Sequence, residues 1–243
     1  MALFNQLFRF KVRVSKIVAS IFIVLLGILW GCGVSETTPF DLGYDYTPLE
    51  TGRFVVYDVS EQQFPLNAPP VTRNYQLREI ITGTYSDITN QTAFRIERQR
   101  RASATQKWDV DSVWTARRDT DRLIRNENGR DYIKLIFPPQ ERLVWNGNVF
   151  NNLGEDKYEF KNVGKAFKIG DQNFEQTVTV VQQSDSTLVN QDKRVEIYAK
   201  GVGLIFRERV LLQFCSSSPA CVGKAQIDFG SRQILRVRSY GKE

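Results

Sequence analysis

GLIFRERVLLQF, residues 203–214, sets the fold class. Leu204, Phe206, Val210, Leu212 and Phe214 stand at alternate positions, interrupted by Glu208, and the complementary set is Ile205, Arg207, Arg209, Leu211 and Gln213. A repeat of two places successive side chains on opposite faces of an extended chain, so the segment predicts a half-buried strand. Similar runs lie on either side of it: FVVYDVS (54–60), NYQLREIITGTYSD (74–87), QTAFRIERQRR (91–101), WDVDSVWTARR (108–118) and YIKLIFPP (132–139). RLVWNG (142–147), FEQTVTVVQQ (174–183), KRVEIYAKG (193–201), KAQIDF (224–229) and RQILRVRSYG (232–241) complete the series. Asn146-Gly147 is a tight-turn signal. DRLIRNENGR (121–130) reads as a turn or two of helix weakened by Asn and Gly. About ten strands separated by turn residues predict an all-β chain. The expected form is one strongly curved antiparallel sheet, half-barrel or barrel-like, forming a single domain over residues 46–243.

The composition removes several chemistries. The chain has no histidine, which excludes Ser-His-Asp and Cys-His nucleophilic catalysis and His-ligated zinc. Its formal charge of +6 is concentrated at the start. Arg9, Lys11, Arg13 and Lys16 precede residue 32 and no acidic residue precedes Glu36, so the rest carries 29 Lys and Arg against 27 Asp and Glu. That near-balance gives no reason to expect a nucleic-acid partner.

The basic residues are followed by IVASIFIVLLGILW (17–30). A positive segment before a short apolar one is the pattern of a signal peptide, here residues 1–31. Fourteen residues at about 1.5 Å each fall short of a hydrocarbon core of roughly 30 Å. Leu29-Trp30-Gly31-Cys32 resembles the lipobox of bacterial lipoproteins, with Trp30 in place of the commoner small residue. The resemblance implies cleavage before Cys32, a diacylglycerol on its sulfur and a palmitate-type chain on the new amine. Two or more chains anchor a protein stably. Gly33 is not the Asp that retains such proteins in the inner membrane, so the resemblance implies the outer membrane, in its periplasmic or its cell-surface leaflet. Residues 32–45 are polar and turn-rich and read as a flexible tether. Cys215 and Cys221, in FCSSSPAC, are an even pair in an oxidising compartment and predict a disulfide across a short loop.

YTPLETGRFVVYDV (46–59) resembles the opening of a group of bacterial lipoproteins, YAKGVGLIFRER (198–209) resembles their late hairpin, and the RSYG ending fits a final strand. That group is related in form to periplasmic lipoprotein-carrier half-barrels. The resemblance implies a concave apolar face that holds a hydrophobic ligand or a partner's lipid, and it transfers no catalytic residue. Gly201 and Gly203 read as positions of positive φ or a bulge.

The expected function is therefore a lipid-anchored, non-enzymatic envelope protein with no cofactor or metal. Trp108, Trp114, Trp145, Phe206 and Val210 are the candidate liners of a hydrophobic-ligand site. An accessory or scaffolding subunit of an outer-membrane protein complex is the alternative. A carboxylate-based glycan hydrolase is a third reading, which needs two facing acids; Asp109 with Asp111 and the Glu155-Asp156 pair are the candidates. The basic runs at 95–101 and 116–125 read as solvated strand faces that discourage edge pairing. Replacing Cys32 with Ser is expected to move the chain from the membrane fraction to the soluble fraction. Unchanged processing and membrane recovery of that variant would contradict the lipobox reading.

Overall fold

The computed structural model describes residues 40–243. The expected signal peptide, Cys32 and the expected tether through residue 39 lie outside the described residues. Among the described residues the chain is all-β, as the alternation predicts, with twelve strands rather than about ten. They are β1 Arg53–Phe64, β2 Val71–Ser86, β3 Thr92–Arg101, β4 Asp109–Arg118, β5 Arg122–Glu127, β6 Arg130–Ile136, β7 Val144–Asn146, β8 Lys157–Ile169, β9 Gln172–Ser186, β10 Asn190–Ala199, β11 Gly203–Phe214 and β12 Ile227–Lys242.

All twelve form one sheet in the order β6-β5-β4-β3-β2-β1-β12-β11-β10-β9-β8-β7. Each strand is antiparallel to its neighbours, and only β1 and β12 pair without being consecutive in sequence. The sheet is thus two meanders joined at the chain's ends and curled until their outer strands, β6 and β7, meet. Twist and curling of a long antiparallel sheet lead naturally to such near-closure, which hides the free edges.

The differences from the sequence reading have local causes. Residues 121–130 form β5 and its turn into β6, not helix. Asn128 and Gly129 both have positive φ, the geometry of a two-residue hairpin. KAQIDF and RQILRVRSYG form essentially one strand, β12, which continues through Gly230. β8 was hidden because its alternation is interrupted by Asn162 and Gly164, both with positive φ. Gly201 and Gly203 have positive φ, as expected. Asn146-Gly147 does not make a two-residue hairpin. Gly147 is needed for a close approach instead: a Cβ there would stand 2.4 Å from the Tyr158 ring.

The folded body begins at Asp41, earlier than the boundary read from the sequence. Tyr44–Tyr46 forms a 3-10 turn. Tyr44 donates from its hydroxyl to the Thr120 carbonyl at 2.7 Å, Gly201 donates its N–H to the Asp45 carbonyl at 2.8 Å, and Asp41 pairs with Lys200. Cys215 and Cys221 are disulfide-bonded in the β11–β12 connection.

The seam is sealed mainly by side chains, because β7 is only three residues long. Ile133 of β6 donates its N–H to the Gly147 carbonyl at 2.9 Å and accepts at its own carbonyl from Trp145 Nε1, also at 2.9 Å. Asn151 Nδ2 donates to the Asp131 carbonyl at 2.9 Å. Trp145 packs against Phe160 and Tyr158, with ring centroids 4.5 and 5.8 Å away. Trp145→Phe removes the indole donor and leaves space unfilled. It is expected to cost about 1–3 kcal/mol in denaturant unfolding and to speed hydrogen exchange at the Ile133 amide. Unchanged exchange there would contradict the latch assignment.

Candidate functional site

The most chemically unusual part of the structure is inside the barrel. β2 contributes Glu79, β3 Arg98, β5 Arg125 and Glu127, β6 Lys134, β10 Glu196 and β11 Arg207. Of these, all but Arg98 are buried, and Arg98 is mostly so. Glu79 accepts from Arg98 Nε at 3.2 Å and from Arg125 Nη2 at 3.0 Å. Glu196 accepts from Lys134 Nζ at 2.7 Å, Arg207 Nε at 3.0 Å and the Tyr198 hydroxyl at 2.6 Å. Glu127 Oε1 lies 3.5 Å from Arg207 Nη2, 3.6 Å from Lys134 Nζ and 3.7 Å from Arg125 Nε, close enough for ion pairing but not for direct hydrogen bonds. Trp114 stacks beneath this group, its ring 3.8 Å from the Arg98 guanidinium carbon and 5.2 Å from that of Arg125.

Taking a carboxylate out of water is costly, and only close cations compensate. Here they do. Burial alone would raise the Glu79 pKa, but Arg125, Arg98 and Arg207 outweigh it and hold the carboxyl at about 2. Burial likewise acts to raise Glu196, and Lys134 and Arg207 bring it far below the ordinary carboxylate range. Burial pushes the Tyr57 and Tyr198 hydroxyls upward, so both stay protonated as donors to the Leu204 carbonyl and to Glu196.

Next to this cluster lies a chamber of about 80 Å³. Val55, Ile81, Ile96, Ala116, Leu123 and Leu204 form apolar walls, while Tyr57, Glu79, Arg125 and Tyr198 supply its polar side. Thr47–Leu49 and Val202–Gly203 also border it. The chamber is far below the roughly 300 Å³ of an ordinary small-molecule pocket, so it cannot hold an acyl chain.

The five expected ligand-lining residues do not converge, and none of them lines the chamber. Trp108 is half-buried in the β3–β4 connection under the Arg101 guanidinium, 4.1 Å away. Trp114 belongs to the ion cluster and Trp145 to the seam. Phe206 sits against Phe167, with ring centroids 6.0 Å apart, and beneath Arg236. Val210 joins a separate small cluster with Leu212 and Phe214. For Phe206 and Val210 the physical reason is a bulge. Between Leu204 and Phe206 the register against β10 shifts, so that Leu204 pairs with Tyr198 and Phe206 with Ile197. The extra residue reverses the phase of the strand. Leu204 and Arg207 share the inner face, while Phe206 and Val210 share the other. The buried ions escaped the sequence reading because an Arg or Glu opposite an apolar residue is indistinguishable from a solvated one until its partners are known.

Two of the carboxylates considered for hydrolysis are held by other side chains. Asp111 is engaged by Arg98 at 3.7 Å and by the Ser112 hydroxyl, and Asp156 is held in a two-point pair by Arg194 at 2.6 and 3.1 Å. Comparison with protein-family models, with curated proteins and with solved structures finds no match to the chain.

The depressed carboxylates make a pH prediction. A carboxyl lowered on folding contributes stability above its unfolded pKa, near 4.5, and that contribution is lost as pH falls toward the folded value of about 2. Unfolding free energy is expected to be nearly level from pH 7 to about 5 and then to fall, with Glu79 alone accounting for about 3 kcal/mol by pH 2. Urea midpoints measured across that range test it; a level profile to pH 3 contradicts an ionised core.

Proposed function

We propose that the chain is a lipid-anchored, non-enzymatic accessory subunit of an outer-membrane protein complex, presenting its outer surface to a protein partner. The observation that carries this reading is a knob on the loop after β7. Val149, Phe150 and Leu153 are 54, 44 and 52% exposed, although all three are large and apolar. The loop is not slack. Asn146 Oδ1 accepts from the N–H groups of Asn148 and Asp156, Asn151 Oδ1 accepts from the Leu153 N–H, and Asn151 Nδ2 donates to Asn148 Oδ1 and the Asp131 carbonyl. Backbone fixed in this way holds apolar groups in water with little entropy left to lose on binding, which is what an interface anchor needs. A knob of this size is the centre of an interface, not the whole of one.

The interior supports the same reading by default. A carrier of lipids needs an open apolar cavity of several hundred Å³, and the chamber beside the ion cluster measures about 80 Å³. Cys32 and the expected signal peptide supply the membrane attachment that such a subunit needs.

The test is site-specific photocrosslinking in the native envelope. A photoreactive phenylalanine analogue at Phe150 is expected to give one discrete adduct in the outer-membrane fraction. The same group at Tyr85, also exposed, serves as the control. Equal, diffuse labelling at both positions, or a purified chain carrying a lipid-extractable mass, would overturn the proposal.

A further inference from the structure

The chain enters the barrel at one end. Tyr44 reaches the β4–β5 turn through its hydrogen bond to the Thr120 carbonyl, and Gly201 of the β10–β11 turn donates to the Asp45 carbonyl. The β2–β3 turn belongs to the same end, because successive turns of an antiparallel meander alternate between the two ends. Gln91 and Thr92 share a shallow cleft there with Asp119 and Thr120. Ile88 of this turn is fully exposed, and no other large apolar side chain among the described residues is more so. The backbone beneath it is fixed. Asp87 donates its N–H to the Gln91 carbonyl at 2.9 Å, and its own carbonyl accepts from the Asn90 N–H at 3.0 Å. Asp87 Oδ1 accepts from the Thr89 N–H at 2.8 Å, the Thr89 hydroxyl at 2.7 Å and the Gln91 N–H at 3.0 Å, and Oδ2 lies 3.8 Å from Arg117 Nε. Asp87 is the one charged residue between Thr84 and Thr92, so the carboxylate that could repel a lipid surface is already engaged.

We infer that the barrel stands end-on against the bilayer that holds its own anchor, with Ile88 inserted at the acyl boundary and the exposed Tyr85 at the level of the head groups. The inference rests on the reading of Cys32 as the lipidated residue. From Cys32 to Asp41 the chain advances nine residues, which span at most about 30 Å when fully extended. The tether therefore delivers the entry end of the barrel to the lipid surface first. Acyl chains on Cys32 hold the protein to the membrane but leave it free to tilt. A stiff turn beside the point of entry removes that freedom, because its apolar tip is buried in one orientation only. The occupant is a lipid surface and not a protein. One large aliphatic side chain among neutral polar neighbours is too small a patch for a specific protein interface, whereas an interfacial contact that only orients an anchored domain needs no more.

The test places a nitroxide spin label at position 88 through Ile88→Cys and, as control, at the exposed Leu188 of the β9–β10 turn, at the other end of the strands, through Leu188→Cys. Both side chains project into solvent, so both variants are expected to fold. The full-length chain carrying its lipid is reconstituted into vesicles of phosphatidylethanolamine and phosphatidylglycerol. The ratio of collisions with oxygen, which concentrates among acyl chains, to collisions with a water-soluble nickel complex is expected to be severalfold higher at 88 than at 188. Equal ratios at the two positions, water-like or lipid-like, would overturn the inference. So would a label at 88 shielded from both reagents, which would show a contact between copies of the chain instead. The intact mass of the same sample reads acylation of Cys32 separately. An unacylated chain that does not bind vesicles defeats the anchor reading and this inference with it, whereas an acylated, bound chain with a water-like label at 88 defeats this inference alone. Ile88 and the 148–153 knob lie on different loops, so the crosslinking result at Phe150 does not decide this one.

Discussion

Seven ionisable side chains meet inside this barrel, and their mutual compensation is the constraint on which the rest depends. Backbone ladders join each strand only to its neighbours. Lys134 with Glu196 links β6 to β10, and Arg207 with Glu127 links β11 to β5, across the interior. One meander alone would bury charges without partners, at several kcal/mol each. The two arms therefore have to close on one another in one register. A slip of a single residue in β11 would send Arg207 to the outside and leave Glu196 with one cation fewer. Compared with well-packed apolar groups, such a cluster adds little net stability, and its stronger effect here is on which closed arrangement is allowed.

The all-β class was legible because it rests on alternation, which needs no tertiary knowledge. β11 and most of its companions could be read from GLIFRERVLLQF and its relatives. What alternation does not reveal is which face is inside. The usual assumption, apolar inward, put Phe206 and Val210 in the concavity. One extra residue at the β10–β11 bulge and a core that accepts Arg207 reverse that assignment. The same blindness applies to Arg125, which falls in a run that reads as a solvated strand face, and to Glu79 and Glu196, which nothing in the alternation singles out. The Asn128-Gly129 turn was present in the sequence but was outweighed by the helical look of DRLIRNE. β8 was lost to its own left-handed Asn162 and Gly164. The Cys215–Cys221 bridge was readable, because two cysteines six residues apart across a turn-rich loop have few other partners.

The seam between β6 and β7 is the weak line that the cluster leaves. It lacks a long ladder, and a three-residue strand is a poor edge to pair with. Trp145 and Asn151 substitute for the missing backbone bonds, and Gly147 lets the Tyr158 ring lie directly on the chain. Such a closure opens more readily than the β1–β12 junction, where a dozen paired positions hold the two arms together.

The apolar knob belongs to this same loop. Asn151 bonds β6 with its amide donor while its oxygen shapes the turn that presents Leu153, and Asn148 fixes the neighbouring Val149 and Phe150. The geometry of the knob is therefore set by the closed seam. A partner that seats on Val149, Phe150 and Leu153 binds only the closed form, and by linkage its binding free energy adds to the stability of the closure. The converse also holds. Loosening Trp145 weakens docking without touching the docking surface, because the loop would have to be reordered at the moment of binding. Fold and proposed interface are in this sense one device: the ions select the closed barrel, the seam residues lock it, and the lock holds the knob in place.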